Sequence, residues 1–222
     1  MIYVTGDTHG EQNRFLYSDW EKSLTANDYL IVCGDFGYIF LNDFSENRFL
    51  DDLENRPYTI LFVDGNHENF NAIYDYPEQT FCGGKVHRIR KNIYHLMRGQ
   101  VFEIQGKTFF TMGGAYSIDK YMRTPGYSWW ERETPTNEEY KEASANLEKV
   151  GMKVDYVITH TMPRSQIIRY GKTPDVHDIE LTGFLDYVYH SVDFTHWYCG
   201  HWHDDRKLTD DFTMLYFDVI SL

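Results

Sequence analysis

Residues 58–70, "YTILFVDGNHENF", carry an apolar run that stops abruptly at Asp64, Gly65, Asn66, His67 and Glu68. The run does not alternate polar with apolar residues, which is the pattern of a strand buried on both faces. A turn after such a strand needs only Gly65 and at most the asparagine. An amide, an imidazole and a carboxylate together require another reason. Two earlier runs have the same form: "IYV" (2–4) leads into "TGDTHG", and "YLIVC" (29–33) leads into "GDFG". Between them lie "EQNRFLYSDWEKSL" (11–24), with Phe15, Leu16, Trp20 and Leu24 at helical spacing, and a more irregular helical stretch, "ENRFLDDLEN" (46–55). Strand, helix, strand, helix, strand is the sequence form of parallel βαβ units, and the expected class is α/β.

Further along, "KVHRI" (85–89), "NIYHLM" (92–97), "QVFEIQ" (100–105) and "KTFFTM" (107–112) are separated by short breaks that include Gly99 and Gly106. They read as hairpin-connected strands, and so as a second sheet of antiparallel type. After "GGAYS" comes a loop rich in aromatic and polar residues. Thr136 followed by Glu139 then gives a capping-box start for a helix that runs to about Val150 and stops at Gly151. The last third supplies strand-like "DYVITH" (155–160), a weakly signalled segment to about Thr195, "HWYCG" (196–200), and two closing strands near 206–208 and 212–219.

The 222 residues, 42% of them hydrophobic, suffice for a substantial core and suit one domain spanning 1–222. A formal charge of −13 repels polyphosphate backbones and anionic membranes, so long nucleic acid and membrane surfaces are disfavoured as partners. Cys33, Cys82 and Cys199 are odd in number and lack C-x-x-C spacing, which points to a reducing compartment. Met1 is followed at once by strand-like "IYVTGD" rather than a basic and apolar leader, and the expected location is the cytoplasm. The "GKT" at 171–173 lacks the glycine five places earlier that a Walker loop needs; Gln166 stands there.

Five strand-like runs end in metal-liking side chains: Asp7 and His9, then Asp35, then Asn66 and His67, then His160, then His201 and His203. Each alone is ordinary turn or surface chemistry. In a sheet of βαβ units, however, the carboxyl ends of parallel strands open on one edge, and these side chains can converge there. Asp7, His9, Asp35, Asn66, His160, His201 and His203 are oxygen and nitrogen donors without a thiolate. They are too many for one four- to six-coordinate cation and suit two if Asp35 bridges.

The ordered set "GDTHG", "GDFG", "GNHE", "THTMP" and "GHWH" resembles the calcineurin-like metallophosphoesterase family, from residue 6 to 203. The resemblance implies two mixed β-sheets packed as a sandwich and flanked by α-helices, with a dinuclear metal centre at the strand ends. It assigns Asp7, His9, Asp35 and His203 to one cation and Asp35, Asn66, His160 and His201 to the other. Two divalent cations sharing a hydroxide can clamp both oxygens of an in-line displacement at phosphorus. Manganese is the first expectation, with iron or zinc as alternatives. His67 is left over from the ligand set; in this family it assists the leaving oxygen, and imidazole titrates in the right range for that.

The implied activity is hydrolysis of a small phosphomonoester or phosphodiester. The protein serine/threonine phosphatase branch continues its G-D as G-D-x-x-D-R-G. Here "GDFGYIF" puts Tyr38 and Ile39 in those places, which speaks against a dedicated phosphoprotein phosphatase. A nuclease is disfavoured by the net charge, and a noncatalytic protein-binding scaffold by the retention of His67. Substrate selection falls to the 113–133 loop, where Tyr116, Arg123 and Trp129 are candidates: aromatic rings to stack on a leaving group and a guanidinium to grip phosphate. At least one of the adjacent Trp129 and Trp130 reads as core at the foot of the following helix. His87 and His95 read as solvent-face or packing residues, His177 as a residue near the pocket, and Asp204 and Asp205 as an exposed acidic turn.

Overall fold

The computed structural model describes residues 1–16 and 20–222. In chain order the elements are β1 (Ile2–Thr5), α1 (Asn13–Leu16), β2 (Tyr29–Val32), α2 (Phe44–Glu54), β3 (Thr59–Phe62) and α3 (Phe70–Tyr74). Then come β4 (Glu78–Phe81), β5 (Gly84–Arg90), β6 (Ile93–Leu96), β7 (Gln100–Ile104) and β8 (Lys107–Met112). The remainder comprises α4 (Asn137–Lys149), β9 (Tyr156–Thr159), α5 (Arg164–Arg169), α6 (Ile179–Ser191), β10 (His196–Cys199), β11 (Arg206–Thr209), β12 (Phe212–Met214) and β13 (Val219–Ser221). Among the described residues no helix is long and apolar enough to cross a membrane.

Two mixed sheets form, with orders β13-β1-β2-β3-β6-β5-β4 and β11-β12-β10-β9-β8-β7. Each has four parallel strands at its centre and antiparallel strands at its margins: β1, β2, β3 and β6 in the first, β8, β9, β10 and β12 in the second. Strand alternation explains the layering, because successive side chains leave opposite faces. Ile31, Cys33, Leu61 and Val63 join Phe109, Ile158 and Tyr198 in a core between the sheets. Their neighbours Leu30, Val32, Ile60 and Phe62 pack outward with Phe49, Leu50 and Leu53 of α2. On the far side Phe110, Val157 and Trp197 pack with Ala143 and Leu147 of α4 and Leu185 and Val188 of α6. The runs are apolar throughout because both faces of each central strand are covered.

The four middle strands depart from the expectation of one antiparallel second sheet. Both hairpins form, but β5 and β6 extend the first sheet, with β6 parallel to β3, while β7 and β8 begin the second. The chain changes sheet between β6 and β7, at a turn where Gly99 takes φ +70. Alternating apolar residues fit either sheet equally well, so the pattern cannot reveal the crossing. The helix expected over 11–24 appears as α1 and a 3₁₀ turn at Glu21–Ser23; its residues 17–19 lie outside the described residues. Thr136 caps α4 as expected, accepting from the Glu139 N–H while the Glu139 carboxylate accepts from the Thr136 N–H. Gly151 follows the helix at φ +69.

Candidate metal centre and substrate cavity

The C-terminal ends of β1, β2, β3, β9 and β10 face one edge of the sandwich, and the seven side chains singled out as metal donors meet there. Asp7 is wholly buried, with its Oδ2 3.2 Å from His203 Nε2 and 3.6 Å from His9 Nε2. The His201 N–H donates to both of its carboxylate oxygens, at 2.9 and 3.1 Å. Asp35 faces two ways: Oδ2 lies 3.8 Å from His9 Nε2 and Oδ1 3.5 Å from His160 Nε2. The His67 N–H donates to that Oδ1 at 2.7 Å and holds the carboxylate in place.

His160 Nδ1 lies 2.9 Å from the Cys33 carbonyl oxygen. A carbonyl only accepts, so Nδ1 carries the proton and Nε2 is the free face. That nitrogen looks at Asn66 Oδ1, 3.1 Å away, and at Asp35 Oδ1. Asn66 is oriented by donating its amide to Ser117 Oγ at 3.2 Å. Acceptors converging on one point require a positive centre between them, a proton or a metal ion. His9 Nε2 and His203 Nε2 approach to 2.9 Å in the same manner. Two overlapping groups, Asp7–His9–His203 and Asp7–Asp35–His160, hold their donor atoms within 4.8 Å of one another. The His201 ring stands beside that of His160, with centroids 4.8 Å apart. The donor set therefore fits divalent cations that accept mixed nitrogen and oxygen ligands.

Electrostatics prepare these groups. Burial pushes the Asp7 carboxyl up, but His203, His9 and His160 and the His201 N–H outweigh it and hold it well below the usual carboxylate range. Burial first, and then the neighbouring His160, press His201 down to about 3, which keeps a neutral imidazole with a lone pair to offer. His9 is raised despite burial by Asp7 and Asp35. Backbone strain accumulates at the same place. Of the eight non-glycine residues with positive φ among the described residues, four are donors: His9, Asp35, His201 and His203. Such conformations each cost about 1–3 kcal/mol and persist where the surroundings enforce them.

The motif glycines enforce part of that geometry. A Cβ on Gly65 would overlap Asp35 Oδ1, and a Cβ on Gly200 would overlap Asp7 Oδ1. Sequence reading missed Arg14, which donates to the Asp7 carbonyl at 2.7 Å and to the Tyr216 carbonyl at 2.6 Å and so ties the first donor loop to the chain end. Glu68 accepts from the Phe36 N–H at 2.6 Å and supports the Asp35 loop from beneath; burial and Asp35 push its carboxyl well above the usual range. Asp64 touches no donor and instead meets Arg98 and His95 in the interior. Tyr38 and Ile39 are buried in the core.

A cavity of about 490 Å³ opens beside the donors, lined by Asp35, Asn66, His67, His201 and His203 on one side. Tyr116, Ile118, Arg123, Tyr170, Lys172 and Trp202 form much of the rest. Arg123 Nη2 lies 3.0 Å from His67 Nε2, and Asp119 accepts from Arg123 Nε at 2.8 Å and Nη2 at 2.9 Å. Trp129 is not among the lining residues. It stands behind Lys120, whose Nζ lies 5.0 Å from the Trp129 ring and 4.6 Å from that of Tyr116. Trp130 is core, packed edge-on against Phe40. His177 stacks on the outer face of Tyr116, with centroids 4.7 Å apart. Asp204 accepts from the Tyr170 hydroxyl, and Asp205 accepts the N–H groups of Tyr216, Phe217 and Asp218; both are structural. His87 and His95 are buried, so a solvent face is ruled out for both.

A family model described as calcineurin-like phosphoesterase matches residues 1–205. No curated protein matches the chain. Among solved structures, the phosphopantetheinyl hydrolase from Mycobacterium tuberculosis is similar at 17% identity and a TM-score of 0.47, over 97% of this chain and 87% of that one.

Proposed function

Given that the chain belongs to the calcineurin-like phosphoesterase family, and is thereby a phosphoric ester hydrolase, we propose that it cleaves a small phosphomonoester or phosphodiester beside two divalent cations. Manganese is the first candidate, with iron or zinc as alternatives. Asp7, His9, Asp35 and His203 would hold one cation; Asp35, Asn66, His160 and His201 would hold the other. Such cations, when bound, supply Lewis-acid activation of water and neutralise phosphoryl charge that a chain of formal charge −13 would repel.

The chain's own residues do the rest. Arg123, oriented by Asp119, presents a guanidinium at the cavity wall and grips a phosphoryl oxygen. His67 adjoins Asn66, lines the cavity and belongs to neither ligand set. Its role is to donate a proton to the leaving oxygen. Burial and Arg123 hold His67 below its ordinary value, although Asp35 opposes them. The negative charge of a phosphate between His67 and Arg123 reverses that balance and favours the protonated imidazole when substrate is bound.

The observation that carries this reading is the convergence of acceptors from five strand ends beside the His67 imidazole, which lines the cavity and meets the donor His9 only edge-on, with ring centroids 5.3 Å apart. Purified protein loaded with Mn²⁺ should hydrolyse an aryl phosphomonoester or a bis-aryl phosphodiester, and Asp35→Asn should abolish this by removing the shared carboxylate. Binding of two metal ions without turnover of any member of a broad ester panel would overturn the catalytic reading in favour of a binding scaffold.

A further inference from the structure

A second, more enclosed pocket of about 310 Å³ adjoins the substrate cavity and shares Tyr116, Ile118, Lys172, His201 and Trp202 with it. Asp178, 7% exposed, lines this pocket from the N-cap position of α6. An aspartate at that position ordinarily accepts from an N–H of the first helical turn. Asp178 makes no such bond, and its Oδ1 is buried without a hydrogen-bond partner among the described residues. Buried carboxylate oxygens are rarely left this way, because the lost hydration is not returned.

The surroundings select the kind of partner. Asp175 lines the same pocket and Glu133 stands near enough to add its charge. Burial first, then these carboxylates, push the Asp178 carboxyl up to about 6, against the Tyr116 N–H and His160, so it is still mostly ionised at neutral pH. Arg123 and His67 lie on the metal side, and Lys172 lines both cavities. The connected cavities thus run from Arg123 at the phosphate end, past Lys172, to Asp175 and Asp178 at the far end.

Resting on the reading of the neighbouring centre as a phosphoesterase, we propose that this pocket receives the leaving group and that Asp178 accepts a hydrogen bond from an ammonium on it. The preferred substrates are then phosphate esters of amine-bearing alcohols. The ammonium donates to the buried, unpartnered Oδ1 of Asp178, while the ester phosphate stays with Arg123 and His67.

Short ω-aminoalkylphosphonates, each compared with its alkyl isostere, test this by calorimetry on the Mn²⁺-loaded protein. The amine-bearing member of a pair should bind about tenfold tighter, the effect of one charge-assisted hydrogen bond. In Asp178→Asn, or in Asp178→Ser if the first variant does not fold, the ratio should fall towards one. Equal binding within every pair by the wild type, or a preference that survives the substitution, overturns the proposal. Phosphonates are not turned over, so the two readings fail separately. Amine preference without hydrolysis of any ester sinks only the catalytic reading; hydrolysis without amine preference sinks only the pocket.

Discussion

At the scale of single residues, His67 and Arg123 make separable contributions. If His67 gives its proton to the leaving oxygen, His67→Ala should lower kcat on an alkyl phosphate by about 10²–10⁴-fold, the usual worth of a positioned acid. A p-nitrophenyl ester, whose leaving group departs without a proton, should lose far less. Steady-state rates on the two esters check this, and equal losses would mean that His67 only holds phosphate. Arg123→Ala should raise KM about tenfold or more through the lost charge-assisted bonds, with a smaller effect on kcat; unchanged values of both would remove Arg123 from the site. The donors were legible residue by residue because each ends an apolar run. Tyr170, Lys172 and Asp178 were not, because each comes from a segment without strand periodicity, and only the tertiary fold turns them towards one cavity.

At the scale of elements, the short connections after β3 and β10 decide whether donors from different strands can meet. Gly65→Ala would drive a methyl group into Asp35 Oδ1, which cannot retreat because the His67 N–H holds it. Metal stoichiometry by elemental analysis should fall below two per chain while far-ultraviolet circular dichroism stays native. Full loading would show that the loop can yield. Thr136→Ala removes one arm of the α4 capping box and should cost about 1 kcal/mol in urea unfolding, leaving metal content unchanged. The capped α4 and the buried central strands were readable because cap chemistry and uninterrupted apolar runs are local signals. β4, with three exposed residues of four, offers no such run. The exchange of sheets between β6 and β7 is a matter of long-range pairing, for which alternation is the same on either side of the sandwich.

At the scale of the whole molecule, a buried polar chain joins the first sheet to the substrate loop. The His87 and His95 rings stack with their Nδ1 atoms 3.0 Å apart, and His95 Nε2 reaches Asp64 Oδ1 at 3.0 Å. Since Asp64 accepts, His95 carries its proton on Nε2, and its Nδ1 accepts from His87. Arg98 donates to Asp64 Oδ2 at 2.6 Å and to the Arg132 carbonyl at 2.7 Å, fixing the far end of the loop that bears Arg123. Burial and the neighbouring His95 depress His87 to about 4, so the folded protein keeps it neutral where the unfolded chain, near 6.5, takes up a proton. Between these values the unfolded state binds more protons, and stability falls as pH drops from about 6.5 to about 4, by up to about 3 kcal/mol, then levels for this group. Asp64, held well below the usual range by Arg98 and His95 against burial, weakens the fold only at more acid pH, below its unfolded value near 3.8. The two windows are therefore distinct. Urea midpoints of the metal-free protein in chelator should decline across pH 6.5–4 in both proteins, and more steeply in the wild type than in His87→Gln. Chelation removes the separate loss that comes from releasing bound metal, and His201 and His196, also depressed, contribute equally to both proteins, so the difference in slope belongs to His87. Parallel slopes in the two proteins would show that His87 takes up its proton in the folded state as readily as in the unfolded chain.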